Sequence, residues 1–267
     1  MRKPFRFYLQ LAFTLLVCAF LIVPVALSML AGVTENFFIG LSSGLTLRWV
    51  GQVWDTYQLT IWRSVAIALA CLAVTALVGV PLAYMLARHK GGNSRLARVI
   101  EELLMMPVAV PGLATALALI MAYGQYRAFR GSLWFILVGH VLFTLPFMVR
   151  PVLAVMQAAQ LPVLEEAAAS LGAGLLQRFF GIVIPNAFSG ILAGALMVVT
   201  LSIGEFNITW MLHTPLTMTL PVGLADSYAS MRLEVGSAYT LIFFLMIIPL
   251  LIAMQWATHI TRSRVRL

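Results

Sequence analysis

The sequence has 267 residues, of which 62% are hydrophobic and 10% are charged, and it carries a formal net charge of +8 at pH 7. So few polar side chains cannot cover the surface of a water-soluble core, which excludes a soluble single domain. The apolar segments are long and do not alternate with polar residues, so they exclude a transmembrane β-barrel and predict an all-α integral membrane protein.

Charge-free apolar runs of about twenty residues predict six transmembrane helices. The first run is too long for a signal peptide and is followed by no small-x-small cleavage site, so it is predicted to remain as an anchor. The loops between the runs are short, and residues 1–267 are therefore expected to form a single transmembrane domain. In chain order the predicted spans cover residues 9–30, 64–87, 103–123, 131–149, 186–204 and 236–257.

Positive charge is distributed unevenly between the two sides that these spans define. If the N-terminus lies inside, twelve of the seventeen Lys and Arg residues fall on the cytoplasmic side. The positive-inside rule then places both termini in the cytoplasm. We attribute the net charge to this topology and to anionic lipid headgroups, and we expect no binding of nucleic acid. The twelve residues are Arg2, Lys3, Arg6, Arg88, Lys90, Arg95, Arg98, Arg150, Arg178, Arg262, Arg264 and Arg266.

Two features inside the predicted spans indicate helix packing. His140, in the fourth span, is interpreted as a hydrogen-bonded packing residue in preference to a ligand. The pattern Gly190-x-x-x-Gly194, in the fifth span, is typical of close contact between helices. That contact is either with a second subunit or within the chain.

A polar, helix-forming insert separates the fourth span from the fifth. Pro162 suits a first helical position, and Glu165 and Glu166 follow in the first turn, where the helix dipole favours carboxylates. Gly172 then ends this helix, and a second short helix runs to Pro185. We therefore predict a helix, a sharp turn and a helix at the membrane surface. An apolar face opposite the charges is predicted from Leu161, Leu164, Ala168 and Leu171, which recur at helical spacing.

The insert resembles the EAA loop of permease subunits in ABC importers. The family pattern is Glu-Ala-Ala, three residues, Gly, nine residues, Ile, one residue and Leu-Pro. The sequence follows this pattern in register, with Ile184 in place of the usual Leu, and so many fixed positions make the match specific. The matching residues are Glu166, Ala167, Ala168, Gly172, Ile182 and Pro185.

The resemblance implies a fold of six transmembrane helices with a cytoplasmic coupling helix between spans four and five, in a coupling loop at residues 161–185. It also implies an assembly in the bacterial inner (plasma) membrane. The expected partners are two ABC ATPase subunits, a second permease subunit, homologous or identical, and an extracytoplasmic substrate-binding protein. The residues expected to couple to the ATPase are Glu165, Glu166, Ala167, Ala168, Gly172, Ile182 and Pro185.

The sequence contains no GxxxxGK[ST] pattern that would cradle the phosphates of a nucleotide. We therefore expect ATP to be used by the partner ATPase, and we expect this chain to bind no cofactor or metal and to catalyse no reaction. The sequence is similar overall to permeases of the spermidine/putrescine type, so a polyamine is the first expected substrate. 2-Aminoethylphosphonate, thiamine, sulfate and iron are the alternatives that this group implies.

Glu205 lies about 30 Å along the fifth span from Pro185, near the outer edge of the hydrocarbon. An ionisable group at that depth is costly unless it faces water, a partner or a substrate. One interpretation is a pathway-facing carboxylate, with Asn207 close by, that meets a cationic solute or a gate residue. The other interpretation is an interfacial residue at a helix end.

Two other classes of membrane protein fit the sequence less well. A secondary transporter or channel is usually marked by intramembrane acids and by inverted repeats of broken helices, and one acid near a membrane edge does not match this. A membrane-bound enzyme needs catalytic groups clustered at one depth, whereas the four histidines are scattered along the chain.

Overall fold

The computed structural model describes residues 5–89 and 95–264, and most of these residues are helical. A 3₁₀ turn at Gly40–Ser43 precedes the second helix, and a π turn at Phe179–Val183 precedes the ninth. The α-helices are α1 (Phe5–Ala31), α2 (Arg48–His89), α3 (Arg95–Ala109), α4 (Gly112–Tyr123), α5 (Arg127–Arg130), α6 (Leu133–Ala158), α7 (Leu161–Ser170), α8 (Leu175–Arg178), α9 (Ile184–Gly204), α10 (Asn207–Leu212), α11 (Leu220–Ala229) and α12 (Leu233–Arg264).

Five helical stretches in the described part of the chain are long and apolar enough to cross a membrane, and the bent pair of α3 and α4 makes a sixth. The all-α membrane fold with six spans is therefore confirmed. The five continuous stretches are Arg6–Ala31, Arg48–Arg88, Leu133–Ala158, Leu175–Gly204 and Leu233–Ala253.

The third span differs from the single helix expected over residues 103–123. Here α3 and α4 meet at Val110 and Pro111, and their axes are bent by 104°. Pro111 has no N–H and disfavours the helical conformation of the residue before it, and its own ψ of 136° is extended. The third span is thus a broken helix, and its second half starts at Gly112.

The chain divides into two compact units. Unit 1 comprises residues 1–58 and 223–246, and unit 2 comprises residues 59–222 and 247–267. In unit 1, the loop after α1 is fastened by the backbone N–H of Phe37, which donates to the Glu234 carboxylate at 3.0 Å.

Unit 2 contains a tight contact between α6 and α9. A Cβ placed on Gly190 would lie 2.7 Å from the Pro151 carbonyl oxygen, and one placed on Gly194 would lie 2.8 Å from the Met148 sulfur. No side chain fits at these distances, so the two glycines allow the helices to approach. The glycine pattern is therefore a contact within the chain, which was one of its two interpretations.

The larger apolar core of unit 2 joins the predicted insert to the spans. It combines side chains of α2, α6 and α9 with one residue of α7 and one of the π turn. The insert is therefore packed into the core of its unit along one side. The buried residues of this core include Tyr84, Val152, Met156, Leu161, Val183 and Ala187.

Candidate functional site

The insert between the fourth and fifth spans folds, as predicted, into a helix, a sharp turn and a second helix. The turn after α7 holds Gly172 at a φ of 85°, a conformation that is strained for residues with a Cβ. No described atom lies within 4 Å of the position that a Gly172 Cβ would take. Backbone geometry therefore requires glycine here, and close packing does not.

The second arm of the insert runs directly into the fifth span. The short helix α8, the π turn and α9 form one helical stretch from Leu175 to Gly204. Ile182 lies in the π turn and packs, partly buried, against the core of unit 2. Its carbonyl oxygen accepts a hydrogen bond from Asn186 Nδ2 at 2.7 Å, next to Pro185 at the start of α9. The predicted coupling residues Ile182 and Pro185 thus lie where the insert joins the span.

The outer side of the insert is apolar and exposed. Leu171 is 89% exposed and Leu176 is 71% exposed. A cluster of exposed apolar side chains on a folded protein is typical of a protein contact surface. We call this set the exposed insert surface: Val163, Leu164, Leu171, Leu175, Leu176 and Phe180.

The predicted apolar face of α7 is correct at Leu161 and wrong at two other positions. Leu161 is buried, but Leu164 and Leu171 are exposed. Leu171 lies beyond the end of α7, in the turn, where helical spacing no longer applies. The residue that shares the buried side with Leu161 is Glu165, four positions later.

The two adjacent glutamates of the insert lie in opposite environments. Glu165 is only 2% exposed, whereas Glu166 is exposed together with Ala167. Tyr84 donates its hydroxyl hydrogen to Glu165 Oε1. The Arg88 Nε lies 3.8 Å from Glu165 Oε2. Glu165 is therefore held inside the chain, while Glu166 is free to face a partner.

Tyr84 and Arg88 are the partners of Glu165 that sequence reasoning missed. They lie four residues apart on α2, so both project from one side of this helix. Arg88 donates from Nη1 to the Tyr84 hydroxyl at 3.0 Å, and its guanidinium lies over the Tyr84 ring. In the sequence Arg88 is one of the twelve cytoplasmic charges, and no local signal pairs it with Glu165, 77 positions later.

Glu205 connects α9 to α10. The backbone N–H of Ile208 donates to Oε1 and that of Thr209 donates to Oε2, each at 2.9 Å. The Thr209 hydroxyl also donates to Oε2 at 3.1 Å. The Glu205 carboxylate thereby caps the N-terminus of α10, and the residue is only 8% exposed. This geometry agrees with the interpretation of Glu205 as a residue at a helix end, whereas its neighbour Asn207 is exposed.

His140 fastens α10 to the spans, which confirms it as a hydrogen-bonded packing residue. Its Nδ1 lies 2.8 Å from the Ser202 hydroxyl on α9, and its Nε2 lies 2.8 Å from the Thr209 hydroxyl on α10. His140 and Ser202 are both almost completely buried. A buried polar group is costly without a partner, and each of these groups has one.

Arg130 satisfies the other end of α10. Its Nη1 donates to the carbonyl oxygen of Leu212 at 2.5 Å, and its Nη2 donates to that of Met211 at 3.4 Å. A carboxylate at the N-terminus and a guanidinium at the C-terminus both complement the helix dipole. This six-residue helix is therefore fixed at both ends by charged side chains.

Comparison with known proteins gives a match to one family over residues 79–267. A putrescine transport system permease protein of Escherichia coli (strain K12) is 29% identical, over 99% of this chain and 95% of that protein. A Salmonella typhimurium (strain LT2) protein named for a 2-aminoethylphosphonate transport system is 24% identical, over 91% of this chain and 90% of that protein.

A solved bacterial ABC transporter, described as importing the acidic polysaccharide alginate, has the same fold. It superposes with a TM-score of 0.68 at 15% identity, over 96% of this chain and 95% of that chain. The family match extends over more than half of the sequence. The protein therefore belongs to the family of inner membrane components of binding-protein-dependent transport systems, and it is a permease subunit of the ABC importer type.

Proposed function

We propose that the insert docks this permease onto a separate ATPase subunit, which hydrolyses the ATP that drives import. The observation that carries this proposal is the exposed insert surface, whose apolar side chains are exposed while Leu161 and Glu165 of the same insert are buried. Glu166 is exposed beside it and offers a charged contact. The chain lacks a phosphate-binding sequence, so it uses no nucleotide cofactor of its own.

The complete assembly, as we propose it, contains two ATPase subunits, a second permease subunit and an extracytoplasmic binding protein. Both termini and the coupling loop at residues 161–185 then lie in the cytoplasm, where the ATPase resides. The distribution of Lys and Arg along the sequence supports this orientation. Residues 1–267 act in it as one transmembrane domain.

The proposed substrate is a small organic cation, with a polyamine such as putrescine or spermidine first. Support comes from the Escherichia coli relative named for putrescine, which aligns over nearly the whole chain. The relative named for 2-aminoethylphosphonate keeps that substrate as the main alternative. Both names describe small molecules with a primary amine, which a hydrogen-bond acceptor in the pathway would recognise. Thiamine, sulfate and iron are the remaining alternatives.

Asn207 is the residue we propose to face the translocation pathway, with Glu205 acting behind it. Asn207 is exposed at the first turn of α10, and Trp210 is 38% exposed one turn later. Glu205 is buried and accepts three hydrogen bonds from α10, so a direct contact with substrate would first require this cap to open. In this arrangement Glu205 orients α10, and the Asn207 amide meets the solute.

The test is reconstitution of the permease with its ATPase and binding protein in liposomes. We expect putrescine to raise the melting temperature of the binding protein, and we expect ATP-dependent uptake of radiolabelled putrescine. Uptake by this chain alone, without an ATPase, would contradict the proposal and indicate a secondary transporter or channel. Stabilisation of the binding protein by 2-aminoethylphosphonate and not by putrescine would show that the proposed substrate is wrong. The proposal that the insert docks an ATPase would still stand.

A further inference from the structure

A single side chain of α2 contacts both arms of the insert. The Tyr84 hydroxyl donates to Glu165 on α7, and the Tyr84 ring packs edge-on against Phe179 in the π turn, with 5.4 Å between ring centroids. α7 and the π turn are separated by the sharp turn at Gly172. Tyr84 therefore bridges the two arms of the insert and ties both of them to one helix of the membrane domain.

Arg88 closes this contact from the next turn of α2. Its guanidinium lies over the Tyr84 ring at 5.5 Å from the centroid, donates to the Tyr84 hydroxyl, and places Nε 3.8 Å from Glu165 Oε2. The Arg88 side chain is 43% exposed, whereas that of Glu165 is 2% exposed. Among the described residues, Glu165 Oε2 accepts no hydrogen bond, so Arg88 is the positive charge that faces this oxygen.

The polar character of Glu165 calls for an explanation beyond stability. Leu161, one turn earlier on the same side of α7, is buried in the same apolar core. A second apolar side chain at position 165 would pack there without the cost of desolvating a carboxylate. A buried charge is satisfied only when its partners sit at one distance and angle, so it fixes the position of α7 on α2 more narrowly than apolar packing does.

We infer that Tyr84, Arg88 and Glu165 form a latch that makes the coupling insert and α2 move together. This inference rests on the proposed function, since the movement in question is the one that an ATPase would impose on the insert. The three are positioning residues, because they meet where the buried side of the insert packs against α2 and not at the exposed insert surface. Force applied at the exposed insert surface then reaches α2 through the latch and α9 through the π turn.

Transport per ATP hydrolysed, in the reconstituted importer, tests the latch. Tyr84→Phe keeps the ring contact with Phe179 and removes the hydroxyl, and Glu165→Gln keeps the size and removes the charge. We expect each variant to hydrolyse ATP but to transport roughly tenfold less solute per ATP, which is the scale for losing one charge-assisted hydrogen bond. The double variant should be no worse than the poorer single variant, because both remove the same contact.

Glu102→Gln is the matched control, since Glu102 is exposed on α3 and carries the same charge. It should transport as the wild type does. If the wild-type chain does not assemble with an ATPase, the proposed function fails. If the wild type couples and both latch variants couple equally well, only the latch is wrong.

A distance measurement separates a latch from a merely stabilising contact. Met85 on α2 and Val163 on α7 are both exposed and can carry spin labels after Cys18 is replaced. In the wild-type complex we expect one narrow distance distribution between them, the same with and without bound ATP. In Glu165→Gln we expect the distribution to broaden and to differ between the two states. A wild-type distance that changes with ATP, or a variant distance that stays narrow in both states, would overturn the inference.

Discussion

Two short helical regions of this permease each contain a buried glutamate, and they hold it in different ways. Glu205 is bonded to backbone and side-chain groups three and four residues away, so the cap on α10 is local. Glu165 is bonded to Tyr84, 81 residues away, and faces Arg88. The first glutamate shapes its own segment, whereas the second joins separate segments.

The two regions also differ in how they are held and in what they expose. α10 is capped at both ends by charged side chains and fastened through His140. The insert has one side packed into the core of unit 2 and one exposed apolar side. We therefore expect substitutions around α10 to change stability, and substitutions on the outside of the insert to change coupling.

Glu205→Ala should give the largest loss of stability. It leaves the backbone N–H groups of Ile208 and Thr209 without their acceptor, which corresponds to about 2–4 kcal/mol in the free energy of unfolding. The melting temperature of the detergent-purified protein should then fall by roughly 5–10 °C. The melting temperature of Glu205→Gln should fall by less, because the amide oxygen still accepts a hydrogen bond from α10. An unchanged melting temperature combined with lost transport would mean that Glu205 serves the pathway directly. It would contradict the view that Glu205 only stabilises its own segment.

Arg130→Gln should have a smaller effect at the opposite end of α10. It removes a charged donor from the last carbonyl groups of the helix, which corresponds to about 1–2 kcal/mol. Thermal unfolding of the purified variant measures this loss. Arg127→Gln is the matched control, because Arg127 is exposed on the same short helix. Equal melting temperatures for the two variants would contradict the capping role of Arg130.

Gly172→Ala should cost about 1 kcal/mol, because alanine is strained at a φ of 85°. The strain opens the turn and tilts α7. We therefore expect a clear loss of transport even though the loss in the free energy of unfolding is small. Gly174→Ala is the control, since Gly174 has an ordinary φ of −69°. Uptake assays on both variants should show a loss only for Gly172→Ala. Equal uptake would indicate that the turn geometry does not matter for coupling.

Leu171→Ser and Leu176→Ser should have the smallest effect on stability, within about 0.5 kcal/mol, because both side chains are largely exposed. If the insert docks the ATPase, the same variants should weaken ATPase binding by roughly tenfold. Affinity measured by titration of the purified ATPase onto the permease tests this. Leu45→Ser, at an exposed apolar residue of the loop after α1, should leave the affinity unchanged.

The sequence identified the insert because Glu-Ala-Ala, glycine, isoleucine and proline at fixed spacing are a local signal that matches the family pattern. From the length of the fifth span it also placed Glu205 near the outer edge of the hydrocarbon, where a residue at a helix end was one of two interpretations. It assigned Glu165 to the polar side of α7, because charge is ordinarily solvent-facing. The opposite holds here, since the partners Tyr84 and Arg88 come from a distant helix and leave no mark in local periodicity.

The third span shows a second limit of sequence reasoning. An apolar run of sufficient length predicts a span, but it does not reveal whether the run is one helix or two. A proline such as Pro111 favours a break in a helix, but only the packing of Gly112 against Asn207 and Ile208 of α10 shows where the second half lies. A break in the third span was therefore predictable, but its bend of 104° was not.

The π turn at Phe179–Val183 carries one more residue in its turn than an α-helix would. Each residue of an α-helix advances the chain by about 100° around its axis. The wider turn takes up this extra residue, so removing one residue within it would restore a regular helix with little rotation of the arm before it. Removing one residue from α8 while the π turn is kept would instead rotate that arm by about 100° relative to the fifth span. The nine-residue spacing of the motif thus counts helical register, and it sets the direction in which the exposed insert surface points.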